Sequence, residues 1–236
     1  MTGIWAIIPV KELHGAKQRL AGVLTPEERH RLAITMLEEV LAALAGAKNL
    51  AGVALVTLDP HATAIARRHG WRVITEGARA GHTGSVDAAR HLLAAEGIPG
   101  ILTLPGDIPA TTATEIDTAV AAHGASTNIT AHGASTDITA HGAFTIVPAH
   151  DELGSNTIIV SPPLAVPLRF GDNSYLPHLA AARAAGLEPK ILHLPGIALD
   201  IDHPADLASF LRLPQSAGTR TRALLESINI TTRLEK

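Results

Sequence analysis

The sequence predicts a single α/β domain, three layers deep, around a mostly parallel sheet. Short apolar, β-branched runs alternate with longer segments of helical period, an order that builds parallel strands joined by crossover helices on both faces. A chain of 236 residues still fits one such domain. Its core must be packed with Ala, Val, Ile and Leu, because the hydrophobic share is 46% and aromatics supply only 3%.

Ile4 to Val10 is a short apolar run that empties into a polar loop at Lys11, so it reads as a buried strand. Thr25-Pro26-Glu27-Glu28 then supplies an N-cap hydroxyl, a proline at the first helical position and a capping-box glutamate, ahead of apolar residues at helical spacing from Leu32 to Leu44. Further strands are expected at Gly52–Thr57, Trp71–Ile74, Gly100–Leu104, Phe144–Val147, Thr157–Val160 and Lys190–Leu194. Helices are expected at Pro60–His69, Thr83–Ala95, Thr112–Ala122, Asn173–Ala185 and Pro204–Leu211. Residues 1–213 thus form the domain. Residues 214–236 read as a polar tail with a short helix near Arg222–Ile228 that either packs on the surface or frays.

A nine-residue unit, Ala122 to Thr130, recurs at Ala131 to Thr139 and in degenerate form from Ala140. Too few and too short for a solenoid, these copies read as a loop insertion over residues 122–142. A metal site through His123, His132 and His141 is the sharper alternative. Nothing in the spacing forces those imidazoles together, and their Gly-Ala neighbours offer no supporting hydrogen bonds.

Composition excludes several functions. No cysteine is present, which removes disulfides, thiolate metal sites and thiol catalysis. A net charge of −3 with scattered Lys and Arg argues against a nucleic-acid footprint. No segment offers about 18 uninterrupted apolar residues or a signal-peptide core, so a cytoplasmic protein without membrane attachment is expected.

The residues that can carry chemistry fall at strand ends. Leu104-Pro105-Gly106-Asp107 follows a buried strand, where ligands of open α/β sheets collect, although Asp107 could equally serve the turn or cap the next helix. Asp200-Ile201-Asp202 puts two carboxylates on one face of an extended segment, close enough to share a hard cation, while Asp202 is also placed to cap the helix after Pro204. Lys11, Lys17 and Arg19 occupy the loop after the first strand, a usual place for phosphates, but no Gly-rich fingerprint accompanies them. Gly154-Ser155-Asn156-Thr157 and Arg169-Phe170-Gly171-Asp172-Asn173-Ser174 combine Gly with hydroxyl and amide donors, which fits either anion binding or ordinary turns and caps.

In combination and order, these segments resemble the guanylyltransferase family of deazaflavin coenzyme F-420 biosynthesis. Ile8-Pro9-Val10-Lys11, Ala16-Lys17-Gln18-Arg19-Leu20, Leu104 to Asp107, Gly154 to Thr157, Arg169 to Gly171, Ser174 and Leu199 to Leu207 carry the resemblance. It implies a nucleotide-diphospho-sugar-transferase-like, Rossmann-like fold and transfer of GMP from GTP to 2-phospholactate, phosphoenolpyruvate or 3-phosphoglycerate, with release of pyrophosphate. One or two Mg²⁺ ions would be held by Asp107, Asp200 and Asp202. Lys11, Lys17 and Arg19 would bind the triphosphate, with Lys17 also catalytic, and Asn156 or Thr157, Gly171 and Ser174 would contact the acid. The family's Gly-Leu-Asn-like stretch is replaced by Gly84-Ser85-Val86-Asp87-Ala88-Ala89, which makes Asp87 the polar candidate near the nucleotide. Partners implied beyond these small molecules are the downstream transferase that consumes the activated product and a second copy in a homodimer. Alternative readings are a molybdenum-cofactor or sugar-nucleotide nucleotidyltransferase, or a glycosyltransferase using Asp200-Ile201-Asp202 as its Asp-x-Asp motif.

Overall fold

A computed structural model describes residues 3–127, 142–171 and 173–235. Seven strands, β1 (Ile4–Val10), β2 (Leu50–Thr57), β3 (Arg72–Ile74), β4 (Gly100–Thr103), β5 (Ala143–Pro148), β6 (Ser155–Ser161) and β7 (Lys190–Ile191), form one sheet in the order β3-β2-β1-β4-β6-β5-β7. Pairing is parallel except at β6, which runs antiparallel to both β4 and β5. The strand expected to reach Leu194 stops at Ile191, and Pro195, with no N–H to give a ladder, opens the short helix α6 (Pro195–Ala198).

Helices α1 (Pro26–Gly46), α2 (Pro60–Arg68) and α4 (Ala113–Thr127) cover one face of the sheet. Helices α3 (Gly81–Ala95) and α5 (Tyr175–Ala184) cover the other. The three-layer expectation is met, and each face has its own aliphatic core: Leu37, Leu41 and Ile65 against Ile8 and Leu55 on one side, Val86, Leu93 and Leu179 against Ile7 and Ile101 on the other. The capping box at Thr25 is present, with the Glu28 N–H donating to Thr25 Oγ1 at 3.2 Å and the Thr25 N–H donating to Glu28 Oε2 at 2.9 Å.

After α7 (Pro204–Arg212), the expected tail folds back as α8 (Arg220–Ser227) and α9 (Ile230–Leu234). Leu225 and Ile230 are fully buried in a third cluster with Leu32 and Met36 of α1 and Phe210 of α7. Arg233 forks onto the Glu28 carboxylate at 2.7 and 2.9 Å, so the tail clamps the start of α1. Among the described residues no helix is long and apolar enough to cross a membrane.

Helix α4 runs to Thr127, so the first repeat copy opens inside a helix rather than in the loop expected from residue 122. His123 is a core residue, 1% exposed, with Nδ1 3.0 Å from Thr145 Oγ1 and Nε2 3.0 Å from Ser161 Oγ. The other two histidines of that candidate metal set, His132 and His141, lie outside the described residues. Burial, with Lys190 nearby, pushes the His123 ring down from 6.5 to about 4. The unfolded chain therefore takes up a proton that the folded ring refuses, and the stability His123 contributes is present above pH 6.5 and lost as pH falls toward 4. At most about 3 kcal/mol is at stake. Thermal melts of His123→Gln should fall less steeply than wild type across that pH window; parallel curves would show that His123 does not set acid lability.

Candidate active site

The site lies along the rim formed by the C-terminal ends of β1 and β4 and the start of β6. After Val10 the chain leaves the sheet in a loop pinned at Leu13, whose N–H donates to Asp59 Oδ2 at 3.2 Å and whose carbonyl accepts from His30 Nδ1 at 3.2 Å. Lys17 has a left-handed backbone, φ 57°, just before a single 3-10 turn, Gln18–Leu20. That bend turns its side chain inward. The Lys17 ammonium sits 2.6 Å from Asp107 Oδ2 and 2.7 Å from Asp202 Oδ1.

Asp107 follows β4 through Leu104-Pro105-Gly106, and its backbone carbonyl accepts from the Ile201 N–H at 3.1 Å, which ties the two carboxylate-bearing segments together. Asp202 is not the cap of α7. Asp206, one turn into that helix, reaches back to accept from the Asp202 and His203 N–H groups at 2.9 and 2.6 Å, and this leaves the Asp202 side chain free for Lys17. Asp200 receives the Asn156 amide at 3.3 Å, while the same amide donates to the Ile197 and Ala198 carbonyls at 3.0 and 2.9 Å.

Charge is unevenly satisfied. Burial pushes the Asp200 carboxyl above its usual range and the Asp107 charge adds to this, with a smaller push from Asp202, against the Asn156 hydrogen bond. For Asp202 burial acts in the same sense, but the Lys17 ammonium outweighs it with help from Arg19 and His203, and the carboxyl stays below the carboxylate range. Burial pulls Lys17 down, yet Asp107 and Asp202 together raise it, so it remains an ammonium. Among the described residues no three His, Cys, Asp or Glu side chains are arranged as a ready metal-ligand group. All three aspartates do offer the oxygen donors that a hard divalent cation takes, and a cation, the Lys17 ammonium, already joins two of them.

Two cavities meet here. A pocket of about 240 Å³ lies between the loop after β1 and the middle of α1, lined by Lys11 and Lys17 and by Ala33, Met36 and Leu37 as apolar walls. A wider cleft of about 790 Å³ holds Arg19, Asn156, Gly171, Ser174, Asp200 and Asp202. Both are lined by His82, Pro105 and Asp107.

Of the basic residues expected to act together, Lys11 and Lys17 line the pocket, Lys17 with its ammonium between two carboxylates, whereas Arg19 faces the cleft 3.4 Å from Asp202. Of the Asn156/Thr157 pair, Asn156 lines the cleft, and Thr157 is buried in the sheet with its hydroxyl unpartnered. Asp87 lines neither cavity; its carboxylate pairs with Arg90 at 2.7 Å. His82, which reading the sequence did not single out, lies at the junction with its ring 4.7 Å from that of Phe170. The available signal was its place at the start of a helix following a strand, a common anion site.

Residues 4–236 match the profile described as "Guanylyl transferase CofC like". A phosphoenolpyruvate guanylyltransferase of Rubrobacter xylanophilus is 32% identical over 93% of this chain and 97% of its own length. Another of that name, from Sphaerobacter thermophilus, is 34% identical over 86% and 89%. Among solved structures, a candidate nucleotide-diphospho-sugar transferase from Desulfovibrio desulfuricans superposes with a TM-score of 0.73 at 18% identity, covering 100% of this chain and 98% of that one. A 4-diphosphocytidyl-2C-methyl-D-erythritol synthase does so at 0.54 and 14%, over 94% and 99%. These likenesses show a nucleotide-diphospho-sugar-transferase and cytidylyltransferase type of fold.

Removing the cation between Asp107 and Asp202 gives a direct check. Lys17→Met should lower stability by about 1–3 kcal/mol, discounted because both carboxylates are partly exposed. Millimolar Mg²⁺ should restore most of the loss in thermal melts, and a variant whose melting ignores Mg²⁺ would remove the carboxylates as a metal site.

Proposed function

The chain belongs to the CofC-like guanylyl transferase family, and from that premise we propose that it transfers GMP from GTP to the phosphate of phosphoenolpyruvate or a similar three-carbon phospho-acid. It is a nucleotidyltransferase, and its substrates are small molecules rather than nucleic acid. Phosphoenolpyruvate is the leading acceptor because relatives of that name match along nearly their full length; 2-phospholactate and 3-phosphoglycerate are the alternatives. Coenzyme F-420 biosynthesis is the proposed setting, with the transferase that consumes the activated acid as downstream partner.

The observation that carries the reading is the meeting of a narrow and a wide cavity at Asp107. The narrow pocket suits the nucleotide, with Lys11 and Lys17 toward the triphosphate. The wide cleft suits the acid, among Asn156, Gly171, Ser174 and Arg19. An oxygen of the acid's phosphate attacks the α-phosphorus of GTP, a new P–O bond forms, and the bond to the β-phosphate oxygen breaks as pyrophosphate leaves.

Two anions must approach, so neutralisation and alignment supply most of the rate and no protein nucleophile is required. Mg²⁺ held by Asp107, Asp200 and Asp202 would supply charge neutralisation between donor and acceptor phosphates. Lys17 keeps an ammonium at the same place, and Arg19 holds Asp202 from the cleft side.

Purified protein should release pyrophosphate with GTP, Mg²⁺ and one of the three acids, and not with ATP or CTP. Asp107→Asn and Asp200→Asn should each cut the rate more than about 100-fold while each variant still unfolds in one cooperative transition. Wild-type rates in either variant would sink the metal assignment, and silence with every acid would sink the reaction.

A further inference from the structure

The wall of the wide cleft contains a buried histidine whose proton position is fixed by its partners. His178, in α5, is 1% exposed. Its Nε2 lies 2.9 Å from the Arg169 backbone nitrogen, and its Nδ1 lies 2.9 Å from Ser155 Oγ. A backbone N–H only donates, so Nε2 must offer a lone pair. A neutral imidazole carries one N–H, which therefore resides on Nδ1 and donates to Ser155 Oγ.

Ser174 Oγ, also in the cleft lining, lies 3.4 Å from the same oxygen, a pair in which either hydroxyl can donate. Because Ser155 Oγ accepts from Nδ1–H, its own proton must turn away from the imidazole, toward Ser174 or the cleft that Ser155 lines. The Phe170 ring, its centroid 5.2 Å from that of His178, holds the imidazole plane in place. Burial keeps the ring neutral, pushed down to about 4, so a second proton does not undo the arrangement at working pH.

We propose that His178 is a positioning residue for acceptor recognition: its Nδ1–H turns the Ser155 hydroxyl proton away from the ring and so presents that hydroxyl as a hydrogen-bond donor to an anionic oxygen of the acid in the cleft. This rests on the guanylyltransferase reading above and extends it to two residues not otherwise assigned. A hydroxyl turned this way rewards a carboxylate or phosphate oxygen, which can accept its proton.

The test is steady-state pyrophosphate release with the KM for acid and for GTP measured separately in wild type, S155A, S155T, H178Q, H178N and S155A/H178Q. Asn places an amide near Nδ1, whereas Gln reaches only toward Nε2. S155A and H178Q should raise the acid KM roughly 10-fold and leave the GTP KM within about 2-fold. S155T and H178N should recover most of the affinity, and the double variant should be no worse than S155A alone. Equal change in both KM values, or effects that multiply in the double variant, would reduce His178 to a packing residue and overturn the proposal. If the His178 variants do not fold, S155A against S155T still decides whether the hydroxyl acts on the acid, and an unchanged acid KM in S155A defeats it. Wild type that turns over no acid defeats the reaction itself and this inference with it; wild type that turns over while H178Q keeps its acid KM defeats the inference alone.

Discussion

An ammonium held between two carboxylates is the constraint around which the rim of this protein is arranged. Lys17 reaches Asp107 at 2.6 Å and Asp202 at 2.7 Å, with its own side chain almost wholly covered. An ammonium so placed is costly to desolvate unless acceptors surround it, and three carboxylates so near each other repel unless a cation joins them. Each half makes the other tolerable. Asp200, which has no such cation, shows the cost directly, since burial and its charged neighbours push it above the carboxylate range. The unsatisfied member of the group is the one with the most to gain from a divalent cation.

Such a cluster holds only if its segments cannot drift, and each is tied by the backbone. The loop bearing Lys17 is fixed through Leu13 to Asp59 and His30, and Asp107 is fixed through its carbonyl to Ile201. Asn156 gathers the Ile197 and Ala198 carbonyls, and Asp206 gathers the Asp202 and His203 N–H groups. These partners touch no charge transfer themselves, yet they keep carboxylates at fixed separation, which is what alignment of two anions requires. The tail contributes at a distance, because Arg233 on Glu28 steadies the start of α1, whose Met36 and Leu37 wall the narrow pocket.

What the sequence disclosed followed from local rules. The Thr25–Glu28 capping box, the strand ends at Val10 and Leu104 and the paired aspartates at 200 and 202 are each set by neighbours within a few residues. The partners of Lys17 lie 90 and 185 positions away, and no local pattern could show that it faces carboxylates rather than solvent. The same holds for Asp206, which displaced Asp202 as the group satisfying the N–H groups ahead of α7, and for His123, whose hydroxyl partners sit on two distant strands. Apolar periodicity marks a strand without giving its direction, so the reversal of β6 was equally invisible.

That reversal explains how one rim comes to carry two cavities. In a parallel sheet every strand delivers its C-terminal end to the binding edge, and β1 and β4 deliver the lysine loop and Asp107 in this way. A parallel strand in the next slot would carry its starting residues to the opposite edge. Because β6 runs backwards, with Thr103 opposite Ile158, the residues before Ile158 continue alongside those after Thr103. Gly154, Ser155 and Asn156 thus arrive beside Asp107, and the turn leading into β6 becomes a wall of the wide cleft. Strand ends build the pocket proposed for the nucleotide, a strand start builds the cleft proposed for the acid, and among the described residues the two share only Pro105, Asp107 and His82. With the proposed occupants, donor and acceptor would approach from different sides and meet at one point, beside Lys17 and its carboxylates.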